Sequence, residues 1–104
     1  MEQIERIRQM EQQFEKASAA TKELSAALDK YMKVQKAIRM LNEYYGSDAW
    51  KQDFADDESE RLPRDLKRGV LSEDAIWNLL ADSHELNQRL QEVATKLQNT
   101  QTDD

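Results

Sequence analysis

From Glu2 to Tyr45 the chain contains neither glycine nor proline, and along that run apolar side chains return at Ile4, Ile7, Met10, Phe14, Ala17, Leu24, Leu28, Tyr31, Val34, Ile38, Leu41 and Tyr45. Most of the steps are three or four residues, the spacing that gathers side chains on one face of a helix. Glu, Gln, Lys, Arg, Leu and Ala fill the remaining positions, and these are strong helix formers. The pattern predicts one helix over residues 2–45, on the order of 60 Å long at the usual rise per residue. Where the spacing calls for an apolar residue between Ala17 and Leu24 the chain has Thr21, so the seam thins there. Ala17, Ser18, Ala19, Ala20 and Ser25 carry little side-chain bulk, which leaves room for a bend over residues 17–27.

The helix has to stop where YYGSDAW begins. Gly46 follows two tyrosines and can take the left-handed conformation that closes a last turn. Ser47 or Asp48 then caps the next helix, whose Trp50 and Phe54 lie one turn apart. Together Tyr44, Tyr45, Gly46, Trp50 and Phe54 read as an aromatic corner that fixes one helix against the next. An acidic helix is expected over 48–60. Pro63 suits the first position of a short helical turn over 63–68, with Lys67 and Arg68 at its C-terminal end and Gly69 beyond it.

The boundary at VLSEDAI is more fully specified. Ser72 is placed to cap the following helix, Glu73 and Asp74 complement its dipole, and Leu71 with Ile76 forms a hydrophobic staple across the cap. The last helix is expected over 73–98. Its apolar residues Ile76, Leu79, Leu86, Leu90, Val93 and Leu97 make a coiled-coil-like seam, and residues 99–104 form a frayed tail. The sequence thus predicts a single all-α domain over 1–104. Its long N-terminal helix packs with a C-terminal helix, and one or two short helices join them in a helical hairpin or three-helix bundle.

Composition narrows the function. The 104 residues include no cysteine, which removes disulfides and thiolate metal sites. The charged N-terminus has no apolar stretch of the kind a secretory signal needs, and no apolar run approaches a bilayer's thickness, so a cytoplasmic location away from the membrane is expected. Net charge is −6. Residues 1–45 carry eight Lys/Arg against seven Asp/Glu (+1), and residues 46–104 carry seven against fourteen (−7). So acidic a second half repels nucleic acid.

The middle of the chain resembles a family of short, uncharacterised bacterial proteins classed as a domain of unknown function. The residues that carry the likeness are Tyr44-Tyr45, Trp50 with Asp53, Leu62-Pro63 and, most specifically, LKRGVLSEDAIWNLL at 66–80. The resemblance implies a helical protein and supplies no catalytic residues.

Candidate chemistry is sparse. DFADDESE at 53–60 offers carboxylates, in which Asp53 with Asp56 or Asp57 suggests at most weak divalent-cation binding, but the glycine turn and ligand spacing of a calcium loop are missing. His84 is the only histidine, which leaves no histidine pair for a metal. No closely spaced glycines provide a phosphate cradle or a nucleophile elbow. No cofactor is expected, and no enzyme activity. The basic stretch Lys30, Lys33, Lys36 and Arg39 winds around the helix; pairing with the acidic half is its expected use, and binding of an anionic ligand or nucleic acid is the alternative. Met10, Met32 and Met40 are seam fillers, with adaptable partner recognition as the sharper use.

Taken over 2–45, the first helix outreaches the last by about 15–20 residues, roughly 25 Å. Ile4, Ile7, Met10 and Phe14 would then extend past it into water, where a helix with no buried face is marginal. A second protein chain is expected to cover them, either in a homodimer or as a different partner. A self-associating, non-enzymatic interaction or adaptor protein is the function this reading favours.

Overall fold

A computed structural model describes residues 2–102, and among them every regular element is helical. The α-helices are α1 (Gln3–Lys33), α2 (Gln35–Tyr44), α3 (Asp48–Glu58) and α4 (Glu73–Thr102), with a single 3-10 turn at Gly69–Leu71. The all-α class follows directly. The chain divides into two compact units, Met1–Ala37 and Ile38–Asp104.

In the first unit, the 2–45 helix of the sequence reading is interrupted at Val34, whose backbone (φ −96°, ψ 5°) leaves the α-helical basin. Val34 N–H donates to the Tyr31 carbonyl at 3.3 Å, and the Gln35 side-chain amide donates to the same oxygen at 2.9 Å. That carbonyl is the one an uninterrupted helix offers to the backbone N–H of Gln35. Leu28, Tyr31 and Val34 follow one another at two successive three-residue steps, where the three–four alternation that runs from Ile7 to Tyr31 stops. Residues 17–27, where a bend had room to form, lie inside unbroken helix.

The second unit is organised around the loop between α3 and α4. Gly46 takes φ 80° after α2, and Ser47 caps α3 by accepting the Trp50 N–H at 3.1 Å. Helix α3 ends two residues earlier than expected. Glu60 stands at φ 59°, Glu60 N–H donates to Asp57 O at 3.1 Å, and Arg61 N–H donates to Asp56 O at 2.9 Å. Those two bonds make a Schellman closure with a glutamate in the left-handed position.

The helical turn expected at 63–68 is absent. Only one turn bond forms, Leu66 N–H to Pro63 O at 3.3 Å, and the Arg68 guanidinium donates to the same Pro63 carbonyl at 2.9 Å and to Leu66 O at 3.4 Å. A side chain thus takes the acceptor that a second helical turn would need. Gly69 accordingly opens the 3-10 turn and does not close a helix. Ser72 then receives Ala75 N–H at 3.4 Å and starts α4. Helix α4 runs on through Thr102, so residues 99–102 are helical where fraying was expected; residues 103–104 lie outside the described part.

Break and extension together undo the length mismatch of the sequence reading. Helix α1 has 31 residues and α4 has 30.

The two left-handed positions carry opposite expectations. A Cβ at Gly46 would meet open space, so Gly46→Ala costs only backbone strain, about 1–2 kcal/mol, whereas Glu60→Gly relieves the same strain and gains about 1 kcal/mol. Denaturant unfolding of the two variants should shift the midpoint in opposite directions.

Candidate functional site

The buried apolar residues of the described chain are Trp50, Leu71 and Ile76, all in the second unit. Trp50 is 6% exposed. Its ring meets Tyr45 edge-on at 5.0 Å between centroids and stacks on Phe54 at 5.2 Å, both favourable aromatic geometries. Its indole N–H donates to the Val70 carbonyl at 2.9 Å, which ties α3 to the 3-10 turn across twenty residues of sequence. Tyr44 does not join the aromatic stack. Its hydroxyl donates to Asp53 Oδ2 at 2.5 Å, and its backbone carbonyl accepts from Ser47 Oγ at 2.6 Å. The corner expected from YYGSDAW thus brings together Tyr45, Trp50 and Phe54 as rings and Tyr44 with Asp53 as a polar clasp.

Leu71 and Ile76, the two halves of the expected staple, are buried on either side of the Ser72 cap. Beside them an apolar groove of about 320 Å³ is lined by Leu41, Val70, Ile76 and Leu79, with Lys67 among its lining residues. Val70 and Leu79 remain exposed there.

The acidic segment spends its carboxylates internally. Asp53 accepts from Tyr44, Asp57 pairs with Arg68 at 2.5 Å, and Asp56 takes Gln52 at 3.0 Å and lies 3.6 Å from Arg61. No three acidic or histidine side chains converge as a metal set among the described residues. His84 is exposed and lies 3.4 Å from the Gln88 amide. Lys30 and Lys33 sit in the last turn of α1, where they complement the helix dipole. Sequence reasoning missed the Arg68 hub. Its three partners, Asp57, Pro63 and Leu66, have no local signature beyond a basic residue among turn formers.

Ile4, Ile7, Met10 and Phe14 lie in the first unit, on α1. That helix buries none of its residues. All four are more than half exposed, Phe14 at 68%, and Leu24 and Leu28 on the same side are exposed as well. Leu86, Val93 and Leu97 of α4 are exposed too. Among the described residues no helix is long and apolar enough to cross a membrane.

A small all-α protein with its core gathered at one corner and long apolar helix faces left in water is the class these features define. The chain belongs to the family described as Domain of unknown function (DUF4298), whose model matches residues 7–100. Comparison with curated proteins and with solved structures yields no match.

The Tyr44–Asp53 clasp has a measurable signature. Donation to the carboxylate, helped by partial burial and by repulsion between a phenolate and Asp53, pushes the Tyr44 phenol up from 10.0 to about 12. A raised folded-state value means that the clasp's contribution to stability is complete below pH 10 and is lost as the pH rises towards 12. Ultraviolet titration should show one tyrosine ionising near 12, and Asp53→Asn should bring that step back towards 10.

Proposed function

We propose that this chain is a non-enzymatic protein–protein interaction module that self-associates through the apolar seam of α1. One observation carries the reading: a 31-residue helix with Ile4, Ile7, Met10, Phe14, Leu24 and Leu28 along one side has no buried residue. A helix of that kind gains little from propensity alone, and its stability comes from burying the apolar face. Large contiguous apolar faces on soluble chains mark interaction surfaces. The step of three and four residues along the face is that of a coiled-coil seam, and a two-fold homodimer is the commonest way to cover one. The absence of a converging acid–base pair or nucleophile in the sequence supports a binding role over a catalytic one.

Light scattering tests this reading on the full chain. The expected mass is twice the 12.2 kDa of one copy. Replacing Ile7 and Phe14 together by Glu should weaken association at least ~100-fold, since two charges would enter a desolvated seam. Helicity should fall with it, while Gln12→Glu on the opposite face changes neither. A wild-type chain that is monomeric at high concentration, or a double variant that still dimerises, would overturn the proposal.

A further inference from the structure

Granting the self-association proposed above, we infer that the partner of α1 is the α1 of a second copy running antiparallel, with the two-fold axis at Ala19. The seam of α1 is self-complementary about that residue. Running the second helix in reverse sets Ile7 opposite Tyr31, Met10 opposite Leu28, Phe14 opposite Leu24 and Ala17 opposite Thr21. Each long side chain meets another long one, and the small ones meet at the centre. Ser18 and Ala20 then face their own copies across the axis, so the helices can approach closely where the seam is thin.

Two exposed residues that a simple seven-residue repeat leaves over are also accounted for. Ile4 and Met32, exposed at 53% and 67%, lie on the same flank of the seam and cover each other in the antiparallel pair. In a parallel pair Ile4 has no opposite number, and Met32 faces only Ala27.

Charge points the same way. Residues 2–16 hold Glu2, Glu5, Glu11 and Glu15 against Arg6, Arg8 and Lys16, four against three, for −1. The mirror window, 22–36, holds Lys22, Lys30, Lys33 and Lys36 against Glu23 and Asp29, four against two, for +2. The antiparallel arrangement lays the negative window on the positive one; the parallel arrangement lays +2 on +2. Exposed charges add little affinity, but they select between orientations that are otherwise close. Opposed helix ends favour the same choice.

Extent is adequate. Helix α1 spans Gln3–Lys33, so its midpoint is within one residue of Ala19 and the two helices end nearly flush. The paired seam runs about 36 Å from Ile7 to Tyr31. It covers on the order of 800 Å² per copy, the size of a standard specific interface.

Glu5, Ala19 and Lys33 are spaced by fourteen residues and share the helix face turned away from the seam. The chain has no cysteine, so each can be changed singly to Cys and spin-labelled in the intact protein, and label-to-label distances can be read by pulsed electron resonance. The antiparallel pair places Ala19→Cys labels level with each other, and sets Glu5→Cys and Lys33→Cys labels about 42 Å apart along the axis. Three equal short distances would mean a parallel dimer and overturn the orientation. Distances shortest at a residue other than 19 would overturn the register. In both cases light scattering would still report a dimer and self-association would stand; a monomer by light scattering would remove self-association and orientation together.

Discussion

The hydrogen bond from the Trp50 indole to the Val70 carbonyl is the contact on which the second unit depends. Between Glu58 and Glu73 the chain has no α-helix to organise it, and an irregular segment of that length needs fixed points. Trp50 supplies one by joining α3 to the 3-10 turn, and its ring surface fills the space left between Tyr45 and Phe54. Arg68 supplies the other, holding the Pro63 turn with one nitrogen and Asp57 of α3 with another. The net gain from any one such bond is only about 1 kcal/mol. Their importance lies in what would be stranded without them: a buried indole N–H and a carboxylate partly withdrawn from water, each costing more unpaired than the bond returns.

A core of Trp50, Leu71 and Ile76 is small for 104 residues. Folding costs roughly 1–2 kcal/mol of backbone entropy per ordered residue, and three buried apolar side chains with their surroundings offset a limited share of it. The 31 residues of α1 add order without burial. Covering the apolar seam of α1 would supply the missing burial at the moment two chains meet. Under the proposed self-association, helix stability and oligomeric state therefore belong to one equilibrium, in which helicity depends on protein concentration.

What the sequence made legible was local. The α1 seam, the glycine stop at 46 and the Ser72 cap with its Leu71–Ile76 staple each rest on residues within a few positions of one another, and their chemistry suits no other local structure so well. Three features were hidden for physical reasons. At Val34 no glycine or proline marks the interruption, and the pair of three-residue steps there occurs also at Ile4, Ile7 and Met10 inside unbroken helix, so spacing alone does not locate it. At Glu60 a left-handed helix closure is made by a residue type that seldom takes it, so no glycine announces the stop. Over 63–68 the proline promises a helix start, but the outcome is decided by Arg68, whose guanidinium competes for the carbonyl the helix would use. Of the candidate site, the exposed quartet on α1 could be named from spacing alone. The Trp50–Val70 bond, twenty residues apart, could not.

The interruption at Val34 also bears on what α1 can pair with. Had the helix run unbroken to Tyr45, Ile38 and Tyr45 would have continued the seven-residue phase of Met10, Ala17, Leu24 and Tyr31, while Val34 and Leu41 would have fallen one position short of the phase of Ile7, Phe14, Thr21 and Leu28. The longer apolar run would have offered a partner helix more than one register. Ending α1 at Lys33 confines one helix to one repeat. The repeat is then nearly symmetric about the middle of its own helix, a condition that a longer helix with the same residues would not meet. In the proposed antiparallel pair, ending the helix at Lys33 therefore limits the registers open to it, as a buried polar residue does in other coiled coils, at the cost of one interrupted turn.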